Sequence, residues 1–416
     1  MNTTYLPRHL RSSLQAHLRQ FPVVLVLGAR QVGKTTFLRH ELKGFTPFDL
    51  EDAATVERVA ADPALFLRDH PTRVWFDEAH RVPGLFSALR VAVDRNREPG
   101  RFVLSGSATG AMAARVSESL AGRAGLLTLE PFSVAERLRR RPSPFLQKLL
   151  QASAARDVLD AVVRRKPLSD AQVRAAWFAG GFPEPALLEH TAARRRWFDA
   201  YIRLVSERDL GELHRDLRPP LVRRLLRMLA ARQGQMLNLT SLATEFGLPV
   251  SKVRGFVEML EGTFLWRRVE TYSANIGKRL TRSPRGWIAD SGLLHALLEL
   301  RGPEDLVVHP LAGASWEGWV LAQLLAQASL LDVPPAFAYW RTHAGAEVDI
   351  VLESGNRLIP LEVKRATRIG PYDLRGLSSF LEAFSDRAPF GVVLYNGEDA
   401  VRASERIVLV PITRTL

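Results

Sequence analysis

Cysteine is absent from the 416 residues. That excludes a disulfide framework and any zinc site built on thiolates. No run of eighteen apolar residues occurs, and the opening Met1-Asn2-Thr3-Thr4-Tyr5-Leu6-Pro7 lacks the basic-then-apolar pattern of a secretory leader. The expectation is a soluble, cytoplasmic protein with no membrane partner. Lysine is scarce too. It stands only at positions 34, 43, 148, 166, 252, 278 and 364, and the rest of the 57 basic Lys and Arg residues are arginine. The two serve equally as solvated charges, but a compact ammonium is not interchangeable with a planar guanidinium, so the surviving lysines are informative.

What is abundant is positive charge. A formal net charge of +13 and a pI of about 10.6 favour a polyanionic partner, nucleic acid before an anionic membrane. A compositional bias of the source organism would produce the same excess. A chain this long is expected to hold roughly two to four domains.

The strongest local signal is Gly28-Ala29-Arg30-Gln31-Val32-Gly33-Lys34-Thr35, two glycines followed by Lys and Thr in the spacing of a phosphate-binding loop. The apolar run Phe21 to Leu27 predicts a buried parallel strand before it, and Thr36 to His40 open a helix after it. In that setting the backbone N–H groups curl round phosphates and the helix N-terminus adds partial positive charge. Lys34 is expected to reach the β- and γ-phosphates of ATP, and Thr35 to ligate Mg²⁺. A second apolar strand, Arg73-Val74-Trp75-Phe76, ends in Asp77-Glu78. Asp77 is expected to hold Mg²⁺ through water and Glu78 to polarise the attacking water.

Two further ATP-site candidates are Ser107, at the end of a strand through Phe102-Val103-Leu104, and Arg123. Ser107 could sense the γ-phosphate or be a turn serine. Arg123 could stabilise transition-state charge on its own or a neighbour's nucleotide, or be a solvated surface arginine. Asp77-Glu78-Ala79-His80 and Ser107-Ala108-Thr109 also spell two boxes of the two-lobed helicases. No later segment offers the second lobe that such a machine requires, and the order of strands is instead similar to that of AAA-type ATPases.

From Glu136 to about Arg232 the pattern is helical and arginine-rich. Ser241 to Phe246, a turn at Gly247-Leu248-Pro249-Val250, and a helix capped by Ser251 then spell a helix-turn-helix. Apolar strands around a basic loop at Lys278-Arg279-Leu280-Thr281-Arg282 extend this to a winged helix. Lys252, Arg254, Lys278, Arg279 and Arg282 are the expected DNA contacts, although such domains also hold proteins. In the last domain, Asp349 and Glu362-Val363-Lys364 lie on successive strands, with Glu362 and Lys364 on one face. Asp349 and Glu362, with Glu317 from a preceding helix, suit one or two Mg²⁺ ions, and Lys364 suits water activation. Surface ion pairs with the many arginines, or a domain that only binds DNA, are the competing readings.

Helix, three strands, helix, strand with Asp…Glu-x-Lys resembles the restriction-endonuclease and Holliday-junction-resolvase family. The chain as a whole resembles a prokaryotic family of AAA-type ATPases with a C-terminal domain of unknown function. The residues that carry the likeness are Gly28–Thr35, Trp75–Glu78, Leu104–Ser107, Ser119–Arg123 with Pro131–Ser133, Gly180–Glu184, Lys278-Arg279, Ala289–Leu293, Glu347–Asp349 and Pro360–Lys364. The implied fold is α/β: a P-loop AAA-type ATPase domain over 1–135, a helical lid or connector over 136–232, a winged-helix domain over 233–292 and a nuclease-like domain over 293–416. The implied activity is an ATP-dependent motor or remodeller on duplex or branched DNA. Its implied assembly is a homo-oligomer, a hexameric ring being one form. A nucleotide-dependent switch with protein partners and an ATP-gated nuclease are the alternatives.

Overall fold

In a computed structural model the described residues are 5–107, 119–209, 218–273 and 283–416. They form two compact units, one comprising Met1–Pro131 with Glu258–Leu265 and the other Phe132–Val257 with Trp266–Leu416.

The first unit is built on a five-stranded parallel sheet, in the order β2 (Thr46–Asp49), β3 (Val74–Asp77), β4 (Phe102–Ser107), β1 (Val23–Gly28), β5 (Ala124–Thr128). β1 lies between two neighbours and every one of its residues is buried, which explains its unbroken apolar run. Helices Lys34–Glu41 and Pro83–Arg95 belong to this unit, and Phe86, Leu89 and Val93 of the second join Leu25, Phe76 and Leu104 in its core. Parallel strands bring their carboxyl ends to one edge of a sheet. Gly28, Asp77 and Ser107 therefore share an edge, and Gly28 is the register partner of Ser107.

The second unit contains an eight-stranded mixed sheet, ordered β12 (Val401–Arg402), β13 (Ile407–Pro411), β11 (Gly391–Tyr395), β10 (Arg357–Lys364), β9 (Glu347–Ser354), β8 (Ala336–Arg341), β6 (Trp266–Thr271), β7 (Arg285–Ile288). The helix Ala312–Ala328 contributes Trp316, Val320 and Leu324 to a core with Leu352, Leu361 and Val392. The helix Arg375–Ala383 contributes Leu377 and Phe380 to another, with Val348, Leu358 and Val393.

Two packing relationships bear on the expected domain organisation. The antiparallel pair β6–β7 is not a free-standing wing, because β6 pairs in parallel with β8 and so continues the C-terminal sheet. An open strand edge is satisfied by pairing, and β8 supplies the partner. Residues 136–232 are expected to be a helical lid or connector; within them the apolar residues Phe145, Leu149, Val158 and Trp177 lie in the same core as Val408, Val410 and Leu416. Glutamines fix them there: Gln323 accepts from the Val134 N–H at 2.9 Å and Gln327 from the Leu146 N–H at 3.1 Å.

The motifs Gly180-Gly181 and Asp290-Ser291-Gly292 meet in one buried junction. The Asp290 carboxylate accepts from Gly181 N–H at 2.7 Å and Leu293 N–H at 2.9 Å. Beside it, His295 bridges the Phe178 carbonyl and the Ser315 hydroxyl, at 3.0 and 2.7 Å. Ser315 and His295 are only 1% and 2% exposed, so this Ser–His pair is a packing element closed to substrate.

Candidate functional site

The phosphate loop leaves β1 at Gly28, where backbone passes so close to backbone that an added Cβ would stand 2.5 Å from the Leu129 carbonyl oxygen. The loop ends at Gly33, left-handed at φ 92°, and no side chain caps the helix that begins at Lys34. The N–H groups of that first turn therefore face the loop with their partial positive charge. Lys34 is 6% exposed and folds back over the loop, donating to the Gly28 and Ala29 carbonyls at 3.0 Å each. Arg8 supports the loop from behind through a 3.0 Å bond to the Val32 carbonyl. Within the loop Val32 is buried, while Gln31, Thr35 and Thr36 are exposed and Arg30 lies 3.8 Å from Glu51.

Thr35 Oγ1 donates to Asp77 Oδ2 at 2.6 Å, which joins the loop to the end of β3. The other oxygen, Oδ1, accepts from Ser105 Oγ at 2.6 Å, and Ser105 in turn accepts from Trp75 Nε1 at 2.7 Å. Asp77 is thus 7% exposed yet fully engaged. Ser105 is a residue that sequence reasoning missed. It lies inside β4, and its meeting with Asp77 follows from how that strand pairs with β3. The backbone of Ser107 ends β4 beside Gly28.

Glu78 follows in left-handed backbone, φ 51° and ψ 45°, a conformation that costs a non-glycine residue about 1 kcal/mol or more. Its Oε2 stands 3.2 Å from His80 Nδ1. Arg123 is paired bidentately with Asp94 on the helix Pro83–Arg95, at 2.7 and 2.9 Å. That pair lowers the Asp94 carboxyl below its ordinary value and raises the Arg123 guanidinium.

A buried ammonium above two carbonyls, at an uncapped helix start and beside a hydroxyl–carboxylate pair, is complementary to a nucleoside triphosphate with Mg²⁺. Thr35 and Asp77 would hold the ion, which neutralises charge across the β- and γ-phosphates. Lys34 would bind and orient the phosphates, and Glu78 would polarise water. Ser105 fixes the Asp77 rotamer through its 2.6 Å bond.

In the second unit, Asp349 and Glu362 come together at adjacent strands, but their immediate partners are cations. Lys364 Nζ donates to Glu362 Oε1 at 2.7 Å. Arg285 of β7 is 7% exposed, hydrogen-bonds Glu347, lies 3.9 Å from Asp349 and covers the Tyr339 ring at 4.7 Å. Asp349 Oδ2 accepts from the Val363 N–H at 2.9 Å, whereas Glu362 Oε2 is buried with no hydrogen-bond partner among the described residues. Burial, and then the charge of Asp349, push the Glu362 and Glu317 carboxyls well above their usual range. Burial also raises Asp349 itself. Against its own burial, Lys364 is held up at about 12 by Glu362. Among the described residues no three of His, Asp and Glu are set to hold a metal ion. As arranged, Arg285 and Lys364 supply the cations that these carboxylates meet. Arg285 carried no sequence signal, being an arginine among many, and Glu347 entered only as part of the Glu347–Asp349 likeness, with no role as the partner of Arg285.

The expected DNA contacts divide between described and undescribed residues. Helix Leu239–Phe246 ends at left-handed Gly247, φ 66°, and helix Val250–Gly262 follows. Lys252 and Arg254 are exposed within its first five residues, while Val253 and Phe256 are buried. Lys278, Arg279 and Arg282 lie outside the described residues. Among those described, no helix is long and apolar enough to cross a membrane.

Comparison with known proteins is consistent with this layout. Residues 20–138 match the AAA domain family model AAA_14. Residues 170–304 and 312–415 match two domains of unknown function, DUF8612 and DUF4143. The uncharacterized proteins Rv2008c of Mycobacterium tuberculosis and Mb2031c of Mycobacterium bovis are each 34% identical over 411 residues, covering 98% of this chain and 84% of their own length. Among solved structures, the Walker-type ATPase PABY2304 of Pyrococcus abyssi is 18% identical at TM-score 0.46, over 72% of this chain and 99% of that one. The S. cerevisiae Hsp104–ADP complex is 15% identical at TM-score 0.28, over 77% and 43%. Neither structural likeness is close. The chain belongs to the family of these mycobacterial proteins, and its N-terminal domain is a P-loop ATPase domain of the AAA type.

Proposed function

We propose that this chain hydrolyses ATP in order to move or remodel duplex or branched DNA, acting as a homo-oligomer. ATP binding and hydrolysis rest on the loop, Asp77 and Glu78. The coupling to DNA rests chiefly on one observation: Lys252 and Arg254 stand exposed within the first five residues of a helix that follows a helix and a left-handed glycine turn. In that geometry the start of the second helix is the part that enters a groove, and exposed cations there meet phosphates and base edges. The net charge of +13 supplies the long-range attraction.

The test is ATP turnover by the full chain with no DNA, with duplex, with single strands and with a four-way junction. DNA-stimulated turnover that Lys252→Ala/Arg254→Ala reduces and Glu78→Gln abolishes is the expected result. Turnover identical under all four conditions, with no DNA retained at low salt, sinks the coupling and leaves a nucleotide switch with protein partners. No cleavage step is assigned to the buried Asp349 and Glu362 or to Lys364 beside them.

A further inference from the structure

The ten residues that follow β10, with Arg375 at the start of the next helix, form a segment with a divided surface. Its backbone is anchored: the Ala366 carbonyl accepts from the Asn396 N–H at 3.1 Å, and the Gly370 N–H donates to Asp373 Oδ2 at 2.9 Å. Its apolar side chains, Ile369 and Leu374, turn inward against the cluster that contains Leu377 and Phe380. Arg365, Arg368, Tyr372 and Arg375 are left facing solvent. Tyr372 is 74% exposed, and the Arg375 guanidinium lies 4.5 Å from its ring centroid.

Some surface arginines are paired with acids, as Arg123 is with Asp94, Arg227 with Glu299 and Arg232 with Glu245, while others, such as Arg174 and Arg195, have no acidic partner among the described residues. Among the described residues Arg365, Arg368 and Arg375 have no carboxylate partner. Three uncompensated guanidiniums around an exposed ring, on a backbone already immobilised, make a preorganised surface for an anion that also carries flat rings. A lipid surface is a poorer fit, since the loop's aliphatic side chains point into the protein and cannot insert. An acidic peptide would use the arginines but leave the ring without purpose.

We propose that the segment Arg365–Arg375 is a platform for a single nucleic-acid strand, with a base stacked on Tyr372 and phosphates gripped by Arg365 and Arg368. The platform starts one residue beyond Lys364. This inference rests on the DNA reading above and assigns the strand a place separate from Lys252 and Arg254.

The experiment is fluorescence anisotropy of the full chain with a labelled thymidine oligonucleotide, a duplex of equal length and, as competitor, polyglutamate. Tyr372→Ala is expected to weaken single-strand binding about tenfold while Tyr372→Phe stays within about twofold, because stacking needs the ring and not the hydroxyl. Arg365→Ala/Arg368→Ala is expected to flatten the dependence of log affinity on log salt by roughly 1.4, about 0.7 for each phosphate no longer neutralised. All four side chains are exposed, so unchanged thermal unfolding of the variants is expected. Binding like the wild type by both variants, with weakening only in Lys252→Ala/Arg254→Ala, overturns the platform and leaves the DNA reading intact. A wild type that binds neither oligonucleotide overturns both. Displacement by polyglutamate as efficient as by unlabelled oligonucleotide, with Tyr372→Ala unaffected, overturns the platform in favour of an acidic polypeptide.

Discussion

Thr35 and Asp77, 42 residues apart in the chain, are joined by a 2.6 Å hydrogen bond between hydroxyl and carboxylate. The bond ties the phosphate loop to the acid at the end of β3. Substitutions at the neighbouring Lys34 and Glu78 separate binding from chemistry. Lys34→Ala is expected to lose nucleotide binding in a fluorescent-nucleotide titration. Glu78→Gln is expected to bind normally and to turn over about 10²- to 10⁴-fold more slowly, the range for a missing general base. Glu78→Gln turnover within a factor of a few of the wild type would remove Glu78 from the role of base.

Ser105 has no exposed surface and holds Trp75 and Asp77 at once. Ser105→Ala leaves the Trp75 N–H buried without an acceptor, at a cost of about 1–3 kcal/mol. It also lets the Asp77 carboxylate rotate. Expected are a lower denaturation midpoint and a raised Mg²⁺ requirement for ATP turnover, read by titrating Mg²⁺ at fixed ATP. A midpoint shift without any change in Mg²⁺ dependence would make Ser105 a purely structural residue.

Arg285 is the counter-charge to Glu347 and Asp349 in a buried setting. Arg285→Met strands those carboxylates and is expected to destabilise the second unit by about 3–5 kcal/mol. Adding Glu347→Gln should recover part of that stability, because the two sites touch and are not additive. Denaturant unfolding of both variants checks this, and a double variant no better than the single one would show that the pair is not coupled.

Two buried groups of the Gly180–Asp290 junction respond to pH with opposite sign. Burial, opposed by the bond to the Phe178 carbonyl, depresses His295 to about 4. The unfolded chain then takes up a proton that the folded one refuses, so the stability due to neutral His295 is full above pH 6.5 and is lost as pH falls towards 4. Burial raises Asp290 to about 6 despite its backbone bonds. Here the folded state binds the extra proton, and stability falls as pH rises from about 4 to about 6. Each contribution is up to about 3 kcal/mol. The destabilisation caused by His295→Gln should therefore shrink on acidification, and that caused by Asp290→Asn should grow. Midpoints of wild type and variants between pH 4 and 7 test both signs.

The ATP site is legible in the sequence because its chemistry is local. Gly28 to Thr35 are consecutive, and Asp77-Glu78 end an apolar run, so spacing alone implies a loop after one strand and acids after another. Strand periodicity likewise marks Glu362 and Lys364 as sharing a face. Which charges meet is another matter. Whether Ser105 meets Asp77 depends on register, and whether Arg123 and Arg285 find acids depends on helices and strands far away in the chain. Many arginines offer the same guanidinium, and only burial and geometry distinguish one from another. The amino-acid order therefore determined where phosphate chemistry resides and the two strand-end acid motifs. The tertiary structure alone decided that the β6–β7 pair extends the C-terminal sheet, that the helices after Val134 pack into its core, and that Arg365, Arg368 and Arg375 remain without acidic partners among the described residues. Those outcomes follow from long-range packing, which pairs open edges and covers apolar faces wherever a partner exists.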